Sequence, residues 1–375
     1  MIKIPFHKIN YNQAEYKTVQ RVLKSGWLTM GPKSRTLEKL FKKKIGGNNQ
    51  TNALVVSSCT SALHLSLIAL GIGKGDEVIC PALTFVADAN AIKYTGAKPV
   101  FCDVESTSNL NISAEEIEKK ITKRTKLIIL VHYAGYPCNL KKIKKIAKKR
   151  KIKILEDACH SLFSSIKNKK LGTFGDLSVF SFYSNKNITS GEGGMVFGKN
   201  KYIKKIKILR NHGIMRNNFS SKKFNSNYDV VNLGYNYRLN EISCSILIEQ
   251  LKKIDIFNSK RKKLALYYKS QINKFFDKIV IPFENFIGGE YSYHIFPIIL
   301  PNKINRDKFI KYLNKKKIET TIHYKPITEF KYYKQNIKFK NLDKCSKRLV
   351  SLPIYPSLKK SEINYIIKSV KKFLT

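Results

Sequence analysis

Residues 151–198 read KIKILEDACHSLFSSIKNKKLGTFGDLSVFSFYSNKNITSGEGGMVFG, and three short apolar runs organise them. KIKILEDA (151–158), LSVFSF (177–182) and GGMVFG (193–198) are each about one strand long and are bounded by Gly, Asp or Ser. Runs of this kind, without steady polar alternation, are strands covered on both faces. The pattern continues outward. NALVVSS (52–58), EVICP (77–81), PVFCDV (99–104) and KLIILVHY (126–133) complete seven candidate strands. Between them CTSALHLSLIALG (59–71), FVADANAIKYTG (85–96), NLKKIKKIAKKR (139–150) and NKYIKKIKILRNHG (200–213) place apolar residues three and four apart. They end near Gly or a basic cluster, as helices do. Strand alternating with helix predicts an α/β fold whose large domain, residues 1–245 with an N-terminal arm, holds a mostly parallel seven-stranded sheet.

Beyond that point the order changes. A long Lys-rich helical segment (245–272) leads into strand-like YSYHIFPIILP (291–301), a helix at DKFIKYLNKKK (307–317), strand-like IETTIHY (318–324) and the amphipathic SEINYIIKSVKKFL (361–374). This predicts a small C-terminal α+β domain over residues 246–375. No repeat or Pro/Gly/Ser-rich linker separates the parts, so they are expected to share an interface.

A length of 375 residues exceeds what one core usually serves, and 43% hydrophobic residues with 11% aromatics argue against wholesale disorder. No apolar run approaches a membrane span, so no membrane partner is expected. The N-terminal MIKIPFHKINYNQ lacks the apolar core of a secretory signal, which makes the cytoplasm the expected location. Seven cysteines stand singly, without a CxxC pair or zinc-like spacing, and read as reduced core thiols; no metal is expected. The formal net charge of +45 raises the question of nucleic acid. Lysine is spread from Lys3 to Lys372, however, and KKIKKIAKKRKIK (141–153) describes the wet face of an amphipathic helix. No nucleic-acid partner is expected, although the field would attract an anionic substrate.

In open α/β sheets ligands collect where strands end and helices begin. Ser57-Ser58-Cys59-Thr60-Ser61 passes from a strand into a helix and offers free N–H groups and hydroxyls to a phosphate, as ordinary helix caps also do. Phe85, just past a strand, could lie on an aromatic ring, though such a residue often belongs to a core. At ILEDACH (154–160), Asp157 stands at a strand exit, where a buried carboxylate needs a cationic partner. Lys186 follows in SFYSNKNITSGEGG (181–194). A lysine amine can condense with the aldehyde of pyridoxal phosphate while a carboxylate keeps the pyridine nitrogen protonated, so the pair could hold that cofactor at both ends. Taken alone, Lys186 could equally be one more surface lysine.

The run EDACHSLFSSIKNKKLGTFGDLSVFSFYSNKNITSGEGGMV (156–196) resembles the core signature of the DegT/DnrJ/StrS family, nucleotide-sugar aminotransferases with the fold-type I aspartate aminotransferase-like architecture. Further stretches resemble the family in order: SGWLTMGPKSRTLEKLF (25–41), SSCTSALHLSLIALGIGKGDEVICPALTFVADANAI (57–92), VHYAGYPCNL (131–140), RNHG (210–213), GYNYRLNEIS (234–243), YHIFPIILP (293–301), IHYKPI (322–327) and SLPIYP (351–356). The resemblance implies that Lys186 binds pyridoxal 5'-phosphate covalently and moves the proton, while Asp157 holds the pyridine nitrogen. It further implies that His160 touches the ring's hydroxyl side, that Phe85 stacks on the ring, and that Thr60, Ser61 and Ser181 cradle the phosphate. Asn236 would reach the phosphate of the neighbouring subunit in a homodimer, and Arg238 and His323 would lie near substrate. Cys59 and Ser58 depart from the Gly and Asn common in the family, so the phosphate loop is expected to differ in detail.

The implied reaction carries an amino group from glutamate to a nucleotide-linked keto sugar. VHYAG, SGW and IHYKP resemble enzymes that aminate C4 of such sugars, while GYNYR departs from the form usual in the aminoarabinose enzymes. A sugar dehydratase or cyclitol aminotransferase on the same scaffold is the alternative within the class; relatives that dehydrate carry histidine in place of the lysine, which this chain retains. A non-catalytic regulatory or nucleic-acid-binding member is the alternative outside it.

Overall fold

The computed structural model describes residues 3–216, 228–276 and 278–374. All seven expected strands form one sheet: β1 Thr51–Val56, β2 Glu77–Pro81, β3 Lys98–Cys102, β4 Thr125–Val131, β5 Lys153–Asp157, β6 Leu177–Ser181 and β7 Gly194–Lys199. Their order is β1-β7-β6-β5-β4-β2-β3. Strands β2 to β6 pair in parallel, and β7 runs antiparallel to both its neighbours.

Helices α1 (Gln13–Ser25) and α2 (Pro32–Ile45) precede the sheet and were not evident as separate elements in the sequence. One face of the sheet, carrying Leu54, Val56, Leu127, Ile129 and Leu155, packs against α3 (Cys59–Ala69), α4 (Val86–Tyr94) and α7 (Asn200–Leu209). On the other face Ile128, Leu130 and Ile154 meet α5 (Ala114–Lys120) and α6 (Leu140–Arg150), while Ala53 and Val55 meet α2 and the 35-residue helix α8 (Glu241–Phe275). Covering both faces removes any need for polar residues at alternate positions, which is why the strands read as unbroken apolar runs. The α6 helix buries Leu140, Ile143, Ile146 and Ala147 and turns its lysines to solvent, as its spacing predicts.

A second core gathers Tyr268, Phe296, Phe309, Leu352 and Ile366, with Ile4 from the N-terminal arm. It is built from the end of α8, an antiparallel pair β8 (Phe296–Ile299) and β9 (Leu349–Leu352), α9 (Arg306–Lys315) and α10 (Lys360–Leu374). The segment IETTIHY is not a regular strand. Among the described residues it makes only the isolated bridges Ile4↔Ile318 and Thr321↔Ser351; His323 keeps a 3.0 Å contact with Ser351 of β9, and His323 and Tyr324 reach the main sheet's edge. As a proposal we divide the chain at 245/246, a point that α8 crosses without a break.

The sheet also fixes where a site can form. Register pairs Val56 with Gly194 and Gly194 with Ser181, so the ends of β1 and β6 and the start of β7 lie in line. Asp157 ends β5 on the same edge, opposite Val131 and Val179. Residues far apart in sequence thereby meet at the carboxyl edge.

Candidate active site

The two acids that end β5 face opposite ways, since successive side chains of a strand alternate. Glu156, fully buried, lies on the α5/α6 side. It accepts from His132 Nε2 (2.9 Å) and from the backbone N–H groups of Gly172 (2.9 Å), Phe174 (2.7 Å) and Gly175 (2.6 Å). Burial alone would raise its pKa, but these donors outweigh it and hold the carboxyl below its usual range. Asp157 points the other way, into a cavity of about 560 Å³. Its Oδ1 accepts the Cys159 N–H at 2.8 Å, which fixes the carboxylate at the cavity wall.

Lys186 lines the same cavity from the turn after β6, where its N–H bonds to Tyr183 O at 2.9 Å. Its amine, Nζ, lies 3.5 Å from His294 Nε2. The histidine's orientation is set by a chain of amides. Asn258 Nδ2 donates to Leu162 O, and Asn187 Nδ2 donates to Asn258 Oδ1 and Ser292 O. Asn187 Oδ1 is therefore an acceptor, and it takes the Nδ1–H of His294 at 2.9 Å. The lone pair on His294 Nε2 is left facing the lysine amine.

His160 and His323 also line the cavity. The Ala134 N–H donates to His160 Nδ1 (3.3 Å), which leaves Nε2–H to donate to the Tyr324 hydroxyl (2.8 Å). Burial first, and then the Lys186 charge, keeps His160, His294 and His323 neutral, His323 being pushed down to about 3.

Opposite these groups, α3 begins. Ser58 is its N-cap: the Ser61 N–H donates to Ser58 Oγ (3.1 Å) and the Ser58 N–H donates to Ser61 Oγ (2.9 Å). Thr60 and Ser58 line the cavity, as does Ser181 from the end of β6. This cap is seated directly on Gly194, where an added Cβ would lie 2.3 Å from Ser58 O and 2.8 Å from Cys59 N. Backbone atoms cannot swing aside. Gly194→Ala is therefore expected to cost about 1–3 kcal/mol in thermal or urea unfolding and to loosen whatever the α3 N-terminus holds. A variant of unchanged stability would contradict this packing.

Of the residues expected from the sequence, Lys186, Asp157, His160, Thr60, Phe85, Ser181 and His323 line one cavity. Ser61 does not; its hydroxyl donates to Ser58 O at 2.7 Å, and Ser58 takes the place beside Thr60. Asn236 and Arg238 lie away from the cavity. Asn236 is exposed, and Arg238 donates to Asn236 Oδ1 and Asn211 Oδ1, each at 3.1 Å. Residues the sequence did not single out are His294, Asn187 and Tyr324. Only the adjacency of Tyr324 to His323 offered any signal.

The donor set suits pyridoxal 5'-phosphate. A primary amine and a buried carboxylate share the cavity, hydroxyls surround a helix N-terminus able to take a phosphate, and Phe85, 57% exposed with its ring centroid 5.9 Å from that of Tyr324, presents an aromatic face. Asn185 Oδ1, buried at the same wall, has no partner among the described residues.

Comparison with known proteins agrees with this assignment. Residues 10–371 match the model of the DegT/DnrJ/EryC1/StrS aminotransferase family. The chain is 32% identical to the spore coat polysaccharide biosynthesis protein SpsC of Bacillus subtilis, over 98% of this chain and 96% of that one. Its fold superposes with a TM-score of 0.91 on Helicobacter pylori PseC, an aminotransferase involved in the biosynthesis of pseudoaminic acid, at 32% identity over 99% of each chain. The pyridoxal phosphate form of the putative sugar aminotransferase Spr1654 from Streptococcus pneumoniae superposes with a TM-score of 0.89, at 28% identity over 99% of this chain and 98% of that one.

Proposed function

Because the chain belongs to the DegT/DnrJ/EryC1/StrS aminotransferase family, we propose that it moves an amino group from glutamate to C4 of a nucleotide-linked keto sugar, a hexose or pentose. The product would be a nucleotide-linked amino sugar for a surface polysaccharide or other glycan. The chain is a sugar aminotransferase of fold-type I architecture, and pyridoxal 5'-phosphate is its cofactor. The observation that carries the reading is the convergence of Lys186, Asp157 and the α3 N-terminus on one cavity. Support for an anionic sugar substrate comes from the formal net charge of +45, and from the polysaccharide and pseudoaminic acid roles of SpsC and PseC.

When bound, the cofactor supplies an aldehyde that takes up the amino group and a protonated ring that draws in electrons from the breaking C–H bond. Asp157 would accept the pyridine N–H and keep that nitrogen charged. Lys186 would hold the cofactor through its aldehyde carbon; once displaced there by the amine of glutamate, its freed amine would take a proton from the glutamate carbon and later deliver one to the sugar carbon. His294 Nε2 accepts a hydrogen bond from Lys186 Nζ and holds it in position. Thr60, Ser58 and Ser181 would hold the phosphate at the helix end, and Phe85 would cover the ring and exclude water from one face. Tyr324 positions His160 beside the ring's hydroxyl. We place Asn236 and Arg238 in the site of a second copy, forming a homodimer, since both lie outside the cavity of their own chain.

Asp157→Asn tests the electronic part of this scheme. It preserves shape but removes the charge that stabilises a protonated ring, so single-turnover conversion of glutamate is expected to fall roughly 10³-fold with cofactor still retained. A loss under tenfold would remove Asp157 from its role. The reaction itself is tested by incubating the enzyme with glutamate and a panel of nucleotide-linked keto sugars and measuring 2-oxoglutarate together with amino sugar. Dehydrated sugar or aminated cyclitol would identify the two alternatives, and no 2-oxoglutarate with any sugar would defeat the proposal.

A further inference from the structure

Cys59 and Cys159 stand 100 positions apart in sequence, yet their Sγ atoms lie 2.9 Å from each other, both as free thiols. The other five cysteines are buried in the protein core, whereas these two line the cofactor cavity. Each is joined to one end of the cradle. Cys59 opens α3, directly after the Ser58 cap that rests on Gly194. Cys159 donates its N–H to Asp157 Oδ1. The sulfur pair therefore ties the phosphate end of the site to the carboxylate end, and nothing in the amino-transfer chemistry uses it.

We propose that Cys59 and Cys159 are a redox-sensitive pair that closes to a disulfide under a peroxide oxidant and thereby weakens cofactor binding. In the first step hydrogen peroxide oxidises one thiol to a sulfenic acid and releases one water. In the second, the other thiol attacks that sulfur, the S–S bond forms, and the hydroxyl leaves with a proton as a second water. Two thiols lose two electrons, and one peroxide gains them. An S–S bond is about 2.05 Å long, so the sulfurs must close the remaining gap by moving the start of α3, the turn after β5, or both. Either movement displaces groups that face the cofactor. Neighbouring charge and burial keep the resting pair protonated: burial and Asp157 raise Cys159, and at Cys59 burial with Asp157 and Asp88 outweighs the Cys159 contact. Thiols so held react more slowly than exposed thiolates, which leaves the reduced form as the working state.

The test compares full-length protein stripped of cofactor with the same protein loaded. After hydrogen peroxide treatment and alkylation, the stripped protein is expected to lose two hydrogens in intact mass and two alkylatable thiols. Peptide mapping should join the segments holding Cys59 and Cys159. Its affinity for pyridoxal phosphate should fall about tenfold, in the usual range for coupled sites, and recover with dithiothreitol. The loaded protein should bridge more slowly, because its cofactor covers both sulfurs. Cys59→Ala and Cys159→Ala should each form no such bridge and show the same cofactor affinity before and after peroxide. Failure of these two sulfurs to join, or a bridge that leaves cofactor affinity unchanged, would overturn the proposal. The effect on cofactor rests on the functional reading above; failure of the untreated, reduced protein to hold pyridoxal phosphate would defeat that reading and leave the mass result standing.

Discussion

Lys186→Ala is expected to lower amino transfer from glutamate by roughly 10⁴-fold or more while leaving the protein folded. The loss should be this large because, on the proposed mechanism, one amine would serve both as the covalent anchor and as the group that removes and returns the proton. Among the described residues, no other primary amine lines the cavity. The fold should tolerate the change, since the side chain is only partly buried and its Nζ contacts His294 Nε2 at 3.5 Å, a single long hydrogen bond. Stability within about 1 kcal/mol of the parent is expected for so weak a contact. Single-turnover assays at saturating cofactor, run beside urea unfolding, separate the two effects. Activity within tenfold of the parent would show that the proton is moved by another group.

Acid should produce the second large effect. His160 has His294 at 4.5 Å and His323 at 6.2 Å between ring centroids, and burial, followed by the Lys186 charge, keeps all three from protonating. In the unfolded chain each would take a proton near pH 6.5. Because the folded pKa values are lowered, the stability these residues contribute is complete above that pH and is lost as pH falls toward the folded values. Once the unfolded histidines are charged, unfolding takes up close to three protons from this group alone. That corresponds to a slope of at most roughly 4 kcal/mol per pH unit, a large fraction of a typical domain's total stability. Urea midpoints measured from pH 8 to pH 5 should therefore decline steeply below about pH 6.5. A His323→Gln variant should show a shallower slope, as one of the three cavity histidines is gone while His64, which burial also lowers, still titrates. A flat profile across that range would contradict the neutral, buried assignment.

The sheet was legible because its strands are covered on both faces, so that each reads as an apolar run between turns, from NALVVSS to GGMVFG. Asp157 was legible for a related reason, standing at a strand end where polar residues interrupt apolar ones, whereas Lys186, in the turn after β6, was legible only through the family resemblance of the stretch around it. IETTIHY misled, since its β-branched residues suit a strand, while it pairs only through single bridges and its last two residues serve the cavity. Ser58 and Ser61 could not be told apart in advance. Each hydroxyl can cap the other's backbone, and only packing against Gly194 decides which faces the cavity. His294 left no local trace. It sits in an apolar run 108 positions from the lysine it touches, and its tautomer depends on Asn187 and Asn258, which lie apart from it in sequence.

Glu156 and Asp157 share one backbone, one strand and nearly one chemistry, yet parity alone turns the first toward buried amides and the second toward the cavity. Loss of a single residue upstream in β5 would exchange them, turning the carboxylate that gathers Gly172, Phe174 and Gly175 toward the cofactor and leaving those amides with an acid of shorter reach. A one-residue insertion or deletion in this strand is thus expected to do what no single substitution there does, exchanging both faces at once.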